Sequence, residues 1–182
     1  MIIFISGGAR SGKSHFSEET ALSIYNKKNN KEKSLYYIAT AKKSDVEMGQ
    51  RIQIHQQERG NEWETIEEPF DLNSVLLQFK KGDVILVDCL TIWLSNVMFE
   101  LGYSLQEIEN HIDQLLTTAD EKQLYLILVS NDLNEGLPHS SELVLTYMIA
   151  LQQIHQRIIG RSDLVVQVQA GIPTFWKGDD VR

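Results

Sequence analysis

Ile2-Ile3-Phe4-Ile5-Ser6-Gly7-Gly8-Ala9-Arg10-Ser11-Gly12-Lys13-Ser14 is an apolar run that passes directly into the pattern G-x-x-x-x-G-K-S. The run predicts a strand over Ile2–Ser6, and the octet predicts a phosphate loop between that strand and a helix. Gly7, Gly8 and Gly12 suit a backbone that turns sharply and points N–H groups at phosphate oxygens. Lys13 has the reach for β/γ-phosphates, and Ser14 can set its hydroxyl on Mg²⁺. The helix expected from Ser14 offers its N-terminus to the same anion. The octet therefore predicts a nucleoside-triphosphate site; the alternative is a Gly-rich turn that binds nothing.

From this start, strand-like and helix-like segments alternate along the chain. Strands are expected at Leu35–Thr40, Trp63–Ile66, Asp83–Asp88, Leu124–Ser130 and Leu164–Val168. Helices are expected at Ser14–Asn26, Ser44–Arg59, from the cap Asp71 to Lys80, and at Thr91–Leu101, Leu105–Thr118 and Ser140–Gly160. In the fifth of these, Leu105, Ile108, Ile112, Leu115 and Leu116 form an apolar stripe at helical spacing. Such alternation predicts an α/β fold: a mostly parallel sheet with helices on both faces. With 182 residues and no repeat, low-complexity tract or long linker, a single domain over 1–182 is expected.

Composition narrows the class. No apolar run approaches the ~18 residues of a membrane span. The N-terminus enters a strand without a basic region or cleavage site, so no export signal is expected. Cys89 is the only cysteine, which excludes an intramolecular disulfide and a cysteine-built zinc cluster and fits a reducing cytoplasm. The formal net charge of −8 argues against nonspecific nucleic-acid binding, while a local cationic site for a triphosphate remains compatible with it.

Two further features point to chemistry. Asp88 ends an apolar strand, where an acid can hold Mg²⁺ directly or through water; the alternative is a cap for the helix near Thr91. Arg51, His55 and Arg59 are four residues apart and share one helical face. Both arginines disfavour protonation of the histidine between them, and a neutral imidazole is a nucleophile. The guanidinium groups can hold the phosphates it attacks. A solvated face, with Glu47 and Glu58 pairing the arginines, is the alternative.

The chain resembles the bifunctional cobinamide kinase / cobinamide-phosphate guanylyltransferase family of adenosylcobalamin biosynthesis. The matching stretches are the octet, Tyr37-Ile38-Ala39-Thr40-Ala41, Asp45-Val46-Glu47-Met48 through Arg51-Ile52 and His55, and Trp63-Glu64-Thr65-Ile66-Glu67-Glu68-Pro69. Leu86-Val87-Asp88-Cys89-Leu90-Thr91-Ile92-Trp93-Leu94-Ser95-Asn96, Val129-Ser130-Asn131 and Ala170-Gly171-Ile172-Pro173 complete them, in family order. The resemblance implies a RecA-like P-loop fold and two reactions. One phosphorylates the aminopropanol hydroxyl of adenosylcobinamide with ATP or GTP. The other transfers GMP from GTP to adenosylcobinamide phosphate through a guanylyl-histidine, releasing pyrophosphate. His55 matches the nucleophilic histidine. Gly7, Gly8, Ala9, Arg10, Ser11, Gly12, Lys13, Ser14, Ala39, Thr40, Ala41, Gln56, Gln57, Glu58, Arg59, Glu67 and Asp88 fall at nucleotide-contact positions, and Arg51 is expected to hold phosphate oxygens. Glu67 either binds the guanine N1–H and N2–H₂ edge or sits exposed beside Glu68. The resemblance also implies a homo-oligomer, with a trimer as the expected state.

The third quarter departs from the family pattern. After Val129-Ser130-Asn131 the usual Glu is Asp132, and the usual Gly-x-Gly is Asn134-Glu135-Gly136. An expected arginine and aspartate become Met148 and Ile149 after Tyr147, and an expected asparagine becomes His155 before Gln156. Nucleotide binding is expected to survive these changes, with corrinoid affinity or one of the two activities altered; ordinary repacking of an amphipathic helix is the alternative. His15, His111 and His139 lack partners at metal-ligand spacing, and His111 is expected to lie mid-helix among charges.

Overall fold

The computed structural model describes residues 1–27, 34–42, 62–133 and 141–182. The strands are β1 (Ile2–Gly7), β2 (Leu35–Ala39), β3 (Trp63–Glu67), β4 (Val84–Asp88), β5 (Tyr125–Asn131), β6 (Leu164–Gln169) and β7 (Ile172–Lys177). The helices are α1 (Lys13–Asn26), α2 (Leu72–Leu76), α3 (Leu90–Phe99), α4 (Leu105–Glu121) and α5 (Glu142–Arg161). All seven strands join one sheet in the order β3-β2-β4-β5-β1-β6-β7. Pairing is parallel from β3 through β6, and only β7 runs antiparallel. The expected helix over Ser44–Arg59 lies outside the described residues, as do Asn134, Glu135, Gly136 and His139.

β1 lies between β5 and β6, and its residues Ile2, Ile3, Phe4 and Ile5 are at most 2% exposed. Successive side chains of a strand point to opposite faces, so this run must bury two sets of apolar groups. Ile2 and Phe4 join the core formed with α2, α3, α4 and α5. Ile3 and Ile5 pack on the other face with Phe16, Ala21 and Ile24 of α1. Helices therefore cover both faces, as the alternating segments predict. The stripe expected on α4 is its buried face: Ile108, Ile112, Leu115 and Leu116 are at most 1% exposed, each side chain contributing ~2 kcal/mol of apolar burial. Leu105 lies off that face, 37% exposed. α4 begins on a capping box, with Ser104 accepting from the Glu107 N–H and Glu107 accepting from the Ser104 N–H at 2.7 Å.

β7 goes beyond the six strands that apolar runs predict. It is an edge strand carrying Pro173, with Ile172 and Trp176 each 69% exposed, so it has no buried alternation to reveal it. It reverses from β6 through Ala170 (φ 49°) and Gly171 (φ 82°), the positive-φ pair that a two-residue hairpin turn uses. The helix expected from Asp71 to Lys80 is also shorter than expected. Asp71 caps it, but α2 ends at Leu76, and the chain continues in tighter turns with Gln78 N–H donating to Val75 O and Phe79 N–H to Leu76 O. His111 differs in part. It lies mid-helix as expected, with the Asp71 and Glu68 carboxylates near enough to act on it, but it is half-buried against the Trp93 ring, with centroids 5.1 Å apart. Among the described residues no helix is long and apolar enough to cross a membrane.

Candidate active site

The sequence-predicted residues that the structure describes collect at the carboxyl ends of the parallel strands, where open α/β sheets bind ligands. Ala39 of β2 is in register with Glu67 of β3 on one side and with Asp88 of β4 on the other. Asp88 is level with Val129 of β5, and Asn131 at the end of that strand is level with Gly7 of β1. Arg51, His55, Gln56, Gln57, Glu58 and Arg59 lie outside the described residues.

The segment from Gly7 to Ser14 bends back on itself between β1 and α1. Ser11 N–H donates to Gly8 O at 3.3 Å, and the Lys13 ammonium donates to the same carbonyl at 3.2 Å. Lys13 is only 8% exposed, so its charge is held over the loop instead of in bulk water. Ala9 and Arg10 form the exposed outer bend, and Arg10 takes the left-handed backbone conformation (φ 59°) that non-glycine residues occupy at a cost. Gly7 is required by packing: a Cβ there would stand 2.4 Å from the Val168 carbonyl oxygen. The loop is also tied from behind, because Gly171 N–H donates to Ser11 O at 2.8 Å. α1 starts at Lys13 after Gly12, which has no side chain to cap it, and no acidic residue lies in its first turn. Its positive end is therefore left to an anion.

Asp88 is half-buried at the end of β4, and its carboxylate accepts from the Tyr37 hydroxyl at 2.8 Å. It does not cap α3: the N-cap is Cys89, with no side-chain cap bond. Burial and the Asp88 carboxylate push the Cys89 thiol up to about 11, with the Lys13 ammonium opposing them. Lys13 and Asp88 thus act electrostatically on one shared neighbour. The thiol is protonated and inert at neutral pH.

Thr40 is fully buried, and its hydroxyl both donates to Cys89 O and accepts from Cys89 N–H. Its N–H donates to Asp88 O, and its carbonyl accepts from the Asn96 amide. Thr40 acts on the site by bracing the ends of β2 and β4 together. Ala39 and Ala41 are buried beside it, while Glu67 is exposed at the end of β3. Glu68 is turned away and accepts from the N–H groups of Phe70 and Asp71.

One polar cluster at this edge escapes sequence reading. The His155 Nε2 lies 2.8 Å from Ser130 Oγ, which lies 3.3 Å from Thr91 Oγ1. Thr91 Oγ1 also accepts from Asn131 N–H at 2.8 Å, and Tyr147 OH donates to Thr91 O. Tyr147 and His155 of the divergent helix are thus built into the support of β5. Ser130 and Asn131 were visible in the motif, but their partners come from α3 and α5, which only tertiary folding brings together.

Burial pushes the His155 imidazole down to about 4, with the Asp132 carboxylate opposing it. Unfolded, this histidine takes up a proton near pH 6.5; folded, it does so only near pH 4. Stability is therefore lost as the pH falls through that interval, on the order of 3 kcal/mol in all. Urea unfolding should show a midpoint that drops between pH 7 and 4.5, and His155→Asn should flatten that drop. An unchanged slope in the variant refutes the assignment.

Sheet and edge together define the class: an α/β protein with a mostly parallel sheet and a glycine-lysine loop among the residues at its carboxyl end. A solved structure from Pyrococcus horikoshii OT3 shares this fold, with a TM-score of 0.51 at 9% identity over 98% of this chain and 87% of that one. The chain belongs to the cobinamide kinase / cobinamide phosphate guanyltransferase family, whose model matches residues 3–175. It is 37% identical to the bifunctional adenosylcobalamin biosynthesis protein CobP of Pseudomonas aeruginosa, over 96% of each chain. It is 27% and 29% identical to the bifunctional adenosylcobalamin biosynthesis proteins CobU of Escherichia coli K12 and Salmonella typhimurium LT2, over 94% of this chain and 97% of theirs.

Proposed function

We propose that this protein phosphorylates adenosylcobinamide with ATP or GTP and then transfers GMP from GTP to the resulting phosphate. The observation that carries the reading is the family match from residue 3 to residue 175, which includes the loop, Asp88 and the residues around them. Purified protein given adenosylcobinamide and ATP should form adenosylcobinamide phosphate. Addition of GTP should then yield adenosylcobinamide-GDP and pyrophosphate. Absence of either product refutes the corresponding activity.

In this reading residues 1–182 are one RecA-like P-loop domain of a cytoplasmic homo-oligomer, a trimer in the family's manner. The insertion of β5 between the loop-bearing β1 and the acid-ending β4 supports it. The loop amides from Gly8 to Ser14 and the α1 N-terminus hold the phosphates, and the Lys13 ammonium neutralises charge on the β/γ group. Glu67 reads the guanine edge. In the second reaction a nitrogen of His55 bonds to the α-phosphorus and pyrophosphate leaves with the electron pair of the broken P–O bond. A phosphate oxygen of the acceptor then displaces His55, while Arg51 and Arg59 hold the phosphate oxygens.

Mg²⁺ fits the donor set. Mg²⁺ takes one or two protein oxygens and completes its shell with phosphate and water. The edge offers Asp88, oriented by the Tyr37 hydroxyl, and the Ser14 hydroxyl at the start of α1. When bound, the ion would offset charge developing on the phosphates. Asp88→Asn should raise the metal concentration needed for half-maximal rate and lower kcat roughly 10- to 100-fold. Full activity in excess chelator refutes the metal role.

A further inference from the structure

The kinase step removes a proton from a hydroxyl, and neither the loop nor Lys13 can accept it. Asp132 stands at the right place. Its N–H donates to Gly7 O at 3.1 Å, which fixes it beside the first residue of the loop. Its Oδ2 accepts from the Gln167 amide at 2.9 Å, and Gln167 is in register with Ser6 of β1. The carboxylate is therefore anchored to two strands that frame the loop. Oδ1 has no hydrogen-bond partner among the described residues. Its neighbours Gln167 and the neutral His155 carry no positive charge, so among the described residues no ion pair ties it up. Asp132 is half-buried, and the N–H of Asn131 just before it donates to Thr91 Oγ1; Thr91 lines an apolar cleft of about 420 Å³ with Ile92, Phe99, Leu143, Val144 and Tyr147.

We propose that Asp132 is the general base of the kinase reaction, taking the proton of the acceptor hydroxyl on Oδ1. This rests on the kinase reading above. As the hydroxyl oxygen bonds to the γ-phosphorus, its proton passes to Oδ1. The bond from that phosphorus to the β–γ bridging oxygen breaks, and the nucleoside diphosphate leaves with the electron pair. The carboxylic acid then returns its proton to water. The guanylyl transfer has no such need, because its acceptor is already a phosphate anion. Asp132 therefore acts in one of the two activities, and a substitution there should separate them.

The test compares wild-type protein, Asp132→Asn and Asp132→Glu. The kinase is assayed with adenosylcobinamide and ATP, and the transferase with adenosylcobinamide phosphate and GTP. In Asp132→Asn the ratio of kinase to transferase kcat should fall about 100-fold, the loss expected for a general base. KM for ATP should stay within about threefold, and Asp132→Glu should restore most of the kinase rate. An unchanged ratio, whether both activities persist or fall together, overturns the proposal, as does a kinase lost equally in Asp132→Glu. If the wild-type protein forms no adenosylcobinamide phosphate, the kinase reading itself fails, a result distinct from an active wild type with an equally active variant.

Discussion

A His55→Ala protein loses guanylyl transfer and can no longer be labelled by GTP, while its kinase turnover persists. The expectation rests on the sequence spacing that sets His55 four residues from Arg51 and four from Arg59. Two positive neighbours keep an imidazole neutral near pH 7, and only a neutral ring has the lone pair that attacks phosphorus. Transfer through this ring divides one displacement into two, each with a good leaving group. Removing it leaves no alternative nucleophile, so the loss is total rather than graded. Phosphoryl transfer from the loop to a hydroxyl forms no histidine adduct and continues. The wild-type protein treated with labelled GTP should carry acid-labile, base-stable label, and mass spectrometry should place GMP on the peptide containing His55. A guanylyl group on another residue, or none where transfer proceeds, refutes the mechanism.

Lys13→Ala should lower the rate of phosphoryl transfer by roughly 100-fold or more, with several kcal/mol of transition-state stabilisation lost. The ammonium is nearly buried and already placed over the loop by its bond to Gly8 O, so little of its binding energy goes into ordering it. In so dry a setting a positive charge acts on phosphate far more strongly than it does in water. Measured kcat at saturating nucleotide reads the effect, and an unaltered thermal melting curve separates it from damage to the fold. Normal turnover in the variant removes Lys13 from the chemistry.

The fold was legible wherever burial leaves a mark on composition. β1, β4, β5 and β6 are apolar runs because both faces of the sheet are covered, and α4 shows its stripe because one face is buried and the other wet. β7 left no such mark: with Ile172 and Trp176 exposed, its only local signal is the Ala170-Gly171 turn. At the candidate site, the passage from β1 into α1 through Gly7–Ser14 could be read because a short, continuous motif marks it. Asp88 was legible as an acid ending a strand, but its hydrogen bond from Tyr37 spans 51 residues. The same holds for His155, which sequence comparison marks as a departure and which folding makes a partner of Ser130. Thr40 is a further case. It sits in a family motif at the carboxyl edge of the sheet, and the commitment of its hydroxyl to the backbone of Cys89 is something no motif announces.

The placement of β1 also bears on how the protein is made. Its two neighbours in the sheet, β5 and β6, are late in the chain, and the Ile2 N–H reaches the Asp163 carboxylate across 161 positions. The loop that follows β1 is tied from behind by Gly171. β1 is therefore synthesised well before either strand it pairs with. At about 5–20 residues per second, that interval is on the order of 10 s or more. During it, Ile2–Ile5 is an uncovered apolar strand, a segment that chaperones hold and that aggregation exploits. A nascent chain arrested before residue 163 should stay sensitive to protease at its N-terminus and bind no nucleotide, and release of a chain extending past Gly171 should bring both protection and binding together.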